Sequence, residues 1–180
     1  MSGADTDIII LALDPATETG WCLGAPSSTP KLGTLSLAHS RKKSRGLAFE
    51  RFRLWLEAMV DRHAPTHIIF ESPILTKFTN IHMTRMAQGL DAIIESTVAR
   101  LDAQGTTIAL SEATPGELKK ALTGKGNAKK DAMMRNAFAR GMTPENNNEA
   151  DAFAAWLHLT RTLDPDAYAR FDPINSGTLI

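Results

Sequence analysis

The sequence is short of the features that mark several protein classes. It has one cysteine, Cys22. A single thiol forms no internal disulfide, so a secreted disulfide scaffold is excluded and a reducing compartment is expected. It has no net charge, because 20 Lys and Arg residues balance 20 Asp and Glu residues. The whole-chain balance therefore carries no sign of nucleic acid. No apolar run approaches the roughly 18 residues a membrane span needs. The N-terminus, MSGADTD, is polar and acidic, unlike a signal peptide. A soluble cytoplasmic protein with no membrane partner is the expectation. The 180 residues hold no internal repeat and no low-complexity tract, and their number suits one domain with a full core.

What is present is organised around Asp7 to Trp21, DIIILALDPATETGW. Six apolar residues, Ile8 to Leu13, run without a break into Asp14. A run of this kind bounded by a turn reads as a strand buried on both faces. Asp14 then stands where a core strand emerges, or it opens a turn, since Asp-Pro is a frequent turn pair. Thr19 to Leu23 and Lys31 to Leu37 read as two further strands of an antiparallel meander. Apolar residues at helical spacing predict one long helix from Arg41 to His63, ended by Pro65. Thr66 to Phe70 is a fourth strand, and it runs into Glu71. A helix over Asn80 to Ala103 follows, stopped by Gly105, and then a fifth strand over Thr106 to Leu110. Thr114-Pro115 opens a short helix to about Leu122. Lys129 to Arg140 is a helix closed by Gly141, and Glu149 to Leu163 is the last one. The pattern is an α/β domain over residues 1–163: a mixed sheet of five strands, the first three antiparallel, flanked by helices. Residues 164–180 read as a loosely ordered tail.

Acidic residues stand at three telling places. Asp14 and Glu71 end core strands, where sites form in open α/β sheets. Glu149 and Asp151 open the last helix, whose N-terminus favours ionised carboxylates. Carboxylates converging from separate elements repel one another unless cations lie between them. Oxygen ligands suit hard ions, Mg²⁺ or Mn²⁺. Two such ions about 4 Å apart would activate water and stabilise the leaving oxygen at a phosphodiester. Against this, first-turn helix acids such as Glu149 and Asp151 are ordinary in themselves.

The ordered set resembles a known family. DPATETGW after an apolar strand, ES after a second strand and NEADAFAAW opening a late helix are similar to the RuvC family of Holliday-junction resolvases, within the RNase H-like nucleases. The likeness spans Ile8 to Leu159. It implies an RNase H-like fold, with Asp14, Glu71 and Asp151 as metal-binding acids and about two ions per subunit. It also implies a homodimer, with the helix after Glu71 packing on its twin. In the family a second acid often stands three residues before the last, on the same helix face. Here that residue is Asn148, so Asn148 or its neighbour Glu149 is the candidate fourth ligand. Ala16 stands where a glycine is frequent.

The basic residues are unevenly spread. Between Thr114 and Gly141 lie Lys119, Lys120, Lys125, Lys129, Lys130, Arg135 and Arg140, opposed only by Glu117 and Asp131. Arg41, Lys42, Lys43 and Arg45 form a second cluster. Such patches bind phosphate backbones without reading sequence, although scattered lysines more often line a solvated helix face. Gly124 and Gly126 allow a backbone to approach phosphate closely. Lys130 aligns with a family lysine near the metals, and either it or Lys129 would stabilise charge on the cleaved phosphate. Phe78, in the polar loop TKFTN, would stack on an unpaired base or staple the next helix. His63 and His158 read as structural, and Trp55 and Trp156 as core.

Four functional readings follow. The first is a metal-dependent, structure-selective endonuclease that nicks four-way DNA junctions in pairs. The second is a broader debranching nuclease of the same superfamily, of phage type. The third is a junction binder weakened in catalysis, for which Asn148 is the only feature. The fourth, an actin-like or sugar-kinase-like nucleotide binder, lacks a second phosphate loop and a second domain.

Overall fold

The computed structural model describes residues 7–73 and 81–172. The chain runs β1 (Ile10–Asp14), β2 (Glu18–Gly24), β3 (Lys31–Ser36), α1 (Ala38–Lys43), α2 (Arg45–His63), β4 (His67–Glu71), α3 (Ile81–Ala103), β5 (Ala109–Ala113), α4 (Pro115–Thr123), α5 (Lys130–Ala139), α6 (Asn147–Leu163) and α7 (Pro165–Ala169). The strands form one mixed sheet in the order β3-β2-β1-β4-β5. β1 pairs antiparallel with β2, and β2 with β3, whereas β4 is parallel to both β1 and β5. The five-stranded α/β architecture with an antiparallel first half is the one the sequence pattern predicts.

Strand alternation divides the core into two layers. Ile10 and Ala12 of β1 and Ile69 of β4 pack on the side that holds α4, α5 and α6. Leu11 and Leu13 of β1, with Ile68 and Phe70 of β4, pack on the side of α2 and α3. This explains the unbroken apolar run at Ile8 to Leu13: β1 is central and Ile10 to Leu13 are fully buried.

Three boundaries differ from expectation. The helix expected over Arg41 to His63 is two helices. Ser44 leaves helical geometry (φ −163°, ψ 152°), and its hydroxyl accepts from the Leu47 amide at 3.0 Å, capping α2. The fifth strand lies three residues later than predicted. Thr106 instead donates its amide to Leu101 O at 2.9 Å, closing α3 around Gly105 at φ +88°. Two β-branched threonines there serve a helix end rather than a ladder.

The third difference is the tail. Asp164 caps α7, its carboxylate accepting from the Ala167 amide at 2.8 Å. Beyond α7, Phe171 is buried with its ring edge-on to Phe153 and Trp156, centroids 6.1 and 5.2 Å away. Arg170 donates to the carbonyls of Pro26 and Ser27 at 2.7 and 3.1 Å. Ala167 and Phe171 thus anchor residues 164–172 on the core, while the rest of the expected tail, 173–180, lies outside the described residues. Phe171→Ala is expected to lower stability by about 3 kcal/mol, read as a fall in denaturation midpoint. An unchanged midpoint would show that this segment does not support the core.

Candidate active site

The sheet sets the positions of two carboxylates before any side-chain contact is considered. Asp14 lies two residues after Ala12, and Glu71 two residues after Ile69. Ala12 and Ile69 both face the α4–α6 layer, so Asp14 and Glu71 share that face. β1 and β4 are parallel, with Leu13 opposite Phe70, so the next residue of each strand emerges at the same sheet edge. Beyond Glu71, Ser72 donates its amide to Ala113 O at 2.9 Å and keeps the strand exit tied to β5.

The third carboxylate comes from α6. Asn146 caps this helix, its side-chain oxygen accepting from the Glu149 amide at 3.1 Å. Further along, the Trp156 indole donates to Gly24 O at 3.1 Å and holds α6 along β2. Asp151 lies just past the first turn.

Asp14 feels the charge of both other acids, and Glu71 that of Asp151. Burial first, then Glu71 and Asp151, push the Asp14 carboxyl well above its usual value, and Lys130 opposes this. Glu71 is raised to about 7 by burial and by Asp151, with Lys119 opposing. Asp151 is raised by burial against the pull of Lys119 and Lys130. Among the described residues no three acidic, histidine or cysteine side chains are already drawn together as a ligand set. The chemistry of the three carboxylates, hard oxygen donors in a partly desolvated place, fits Mg²⁺ or Mn²⁺.

The candidate fourth ligands have other engagements. Glu149 is buried at 4% exposure. Its carboxylate accepts from Thr34 Oγ1 at 2.9 Å, from the Glu145 amide at 2.8 Å and from Asn146 Nδ2 at 3.3 Å. It ties the start of α6 to the β3 edge and does not figure among the charges acting on Asp14, Glu71 or Asp151. Residues 149 and 151 point to different sides of a helix, and Glu149, expected as a candidate metal ligand, is engaged on the side that faces β3. Asn148 donates its amide to the backbone carbonyl of Glu18 at 2.8 Å.

Lys119 and Lys130 bracket the acids from α4 and α5. The sequence placed Lys119 only among DNA contacts. The signal was the Thr114–Glu117 capping box, which starts α4 directly after β5 and so carries its first turns to the same sheet edge. Lys120, Lys125, Gly126, Lys129 and Arg135 are exposed, and Lys125, Lys129 and Arg135 line one groove of ≈ 380 Å³. Leu37 donates its amide to Thr17 O at 2.7 Å, so α1, with exposed Arg41, Lys42 and Lys43, starts at the carboxylate end of the sheet. Phe78 lies outside the described residues.

The fold is found in known proteins. Thermus thermophilus RuvC matches with a TM-score of 0.60 and 18% identity, over 91% of this chain and 96% of that one. T. thermophilus RuvC in complex with Holliday junction substrate matches at 0.63 and 18%, over 92% and 97%. The yeast mitochondrial Holliday junction resolvase Ydc2 matches at 0.54 and 10%, over 97% and 85%. No protein-family model and no curated protein sequence matches the chain. At these identities the likeness is one of fold, and that fold is the RNase H-like one of RuvC.

The raised Glu71 carboxyl sets a pH dependence for the metal-free protein. Between its ordinary value of 4.5 and the folded value of about 7, the folded state holds a proton that the unfolded state has lost. Stability from this group therefore falls as pH rises through that window and is level above it. Glu71→Gln is expected to match wild type near pH 4 and to exceed it above pH 7, measured by urea unfolding in a chelator. Equal curves at both pH values would contradict the raised value.

Proposed function

We propose that this protein is a RuvC-family nuclease: a metal-dependent, structure-selective DNA endonuclease that resolves four-way junctions by paired nicks. The observation that carries the reading is the placement of Asp14 and Glu71 on one face of one sheet edge, where the Asp151 charge of α6 acts on both and Lys119 and Lys130 oppose it. A site of this kind on an RNase H-like sheet suits phosphodiester hydrolysis.

Asp14, Glu71 and Asp151 would hold Mg²⁺, with Mn²⁺ able to substitute and two ions expected per subunit. Held by these residues, such ions would supply activation of a water and charge stabilisation at the leaving oxygen. The protein's own residues do the rest. Lys130 and Lys119 lower the net charge at the acids and attract the scissile phosphate. Lys130, with Lys129 beside it, would oppose charge gathering on the phosphate oxygens. The Lys125–Lys129–Arg135 groove, with Lys120 near the end of α4 and Gly126 on the turn after it, would follow the DNA backbone. Arg41, Lys42 and Lys43 of α1 would hold a second stretch of backbone. Phosphate contacts carry no sequence code, so selectivity would come from junction shape.

Two symmetric cuts need two sites, and a twofold DNA junction suits a twofold protein. A homodimer in the cytoplasm is therefore part of the proposal. Ile81 and Met83, exposed at the start of α3, are consistent with a contact between copies there.

The test is a labelled four-way junction and a linear duplex of the same sequence, with and without Mg²⁺. Wild type is expected to cut the junction only with metal and far faster than the duplex. Asp14→Asn is expected to lose about 10²-fold or more in rate while still retarding the junction in a gel. Equal cutting of duplex and junction would remove the resolvase assignment. Equal cutting of flaps and forks would favour a broader debranching nuclease.

A further inference from the structure

β2 and the first turn of α6 meet at a point that nothing in the acid set explains. Gly20 is the register partner of Asp14 across the β1–β2 ladder. A Cβ at Gly20 would lie 2.0 Å from the backbone oxygen of Asn148 and 2.3 Å from its carbonyl carbon. Those atoms are backbone and cannot rotate aside. The helix therefore touches the sheet beside the strand end that carries Asp14, and only a residue without a side chain allows it.

Asn148 adds a directed bond at the same point. Its Nδ2 donates to Glu18 O at 2.8 Å. A carbonyl acceptor requires a donor, so the amide's orientation is fixed by chemistry. Residue 148 is three before Asp151 and on the same helix face. Glu149 holds the other side of this turn to Thr34 on β3.

From this contact we infer that Gly20 and Asn148 are positioning residues that set Asp151 against Asp14. Position 148 carries an amide because its side chain must donate to β2. A carboxylate there would face the Glu18 carbonyl with no proton to give, and would break the bond that holds this turn of α6 to β2. The inference deepens the nuclease reading and rests on it.

The test uses the full chain as wild type, Gly20→Ala, Asn148→Ala and Asn148→Asp. Calorimetric titration of the metal-free proteins with Mn²⁺ reads the ion site directly, and junction cleavage gives kcat and KM. Circular dichroism checks folding. The three variants are expected to bind Mn²⁺ about tenfold or more weakly and to lose kcat by a similar factor, with KM for the junction little changed. The decisive arm is Asn148→Asp. If residue 148 served as a charged ligand, this variant would bind Mn²⁺ more tightly than wild type and cut at least as fast, and that result overturns the inference. Wild-type affinity and kcat in Asn148→Ala would overturn it as well. Should Gly20→Ala fail to fold, the two Asn148 variants decide alone. A wild type that neither binds Mn²⁺ nor cuts a junction brings down the nuclease reading itself, and this inference with it.

Discussion

Parallel pairing of β1 with β4 is the constraint on which the site depends. Two adjacent parallel strands end at the same sheet edge. Their side chains alternate in step, so Ala12 and Ile69 on one face fix Asp14 and Glu71 on that face too. A one-residue slip of either strand would turn its acid toward α2 and α3 and break the core at the same time. The register that fills the core is thus the register that places the acids.

The third acid needs a separate device, because α6 enters from far along the chain. Its start is fixed to β2 through Asn148 and Gly20 and to β3 through Glu149, and its middle is fixed to β2 through Trp156 and Gly24. The result is a gathering of like charges that folding alone does not favour. Asp14, Glu71 and Asp151 each hold their protons more tightly than usual. Lys119 and Lys130 relieve part of the repulsion. Perturbed carboxyls of this kind cluster at functional sites, and a cation between them would relieve the remaining repulsion.

Much of this could be read from sequence where one residue's environment determines its role. Asp14 and Glu71 were visible because an apolar run ending in an acid marks a buried strand and its exit. The antiparallel meander followed by strand–helix alternation gave the sheet. Legibility ended where two elements compete for one stretch. Thr106 and Thr107 have strand-like side chains, yet the turn after α3 takes them. Ser44 looked like one more residue in a helical pattern, yet it caps a second helix. Glu149 and Asp151 are near neighbours of like chemistry, and only the hydrogen bonds from Thr34 and the Glu145 amide separate them, by engaging 149 with the β3 side. The burial of Phe171 had no local signal either, since it depends on Phe153 and Trp156 presenting a surface far back in the chain.

The central claim is that Asp14, Glu71 and Asp151 form one cation site. Anomalous diffraction from crystals grown with Mn²⁺ tests it most directly. The expected result is strong density bounded by carboxylate oxygens of all three residues. Ordered Mn²⁺ found only elsewhere, with these three side chains left without an ion between them, would contradict the account.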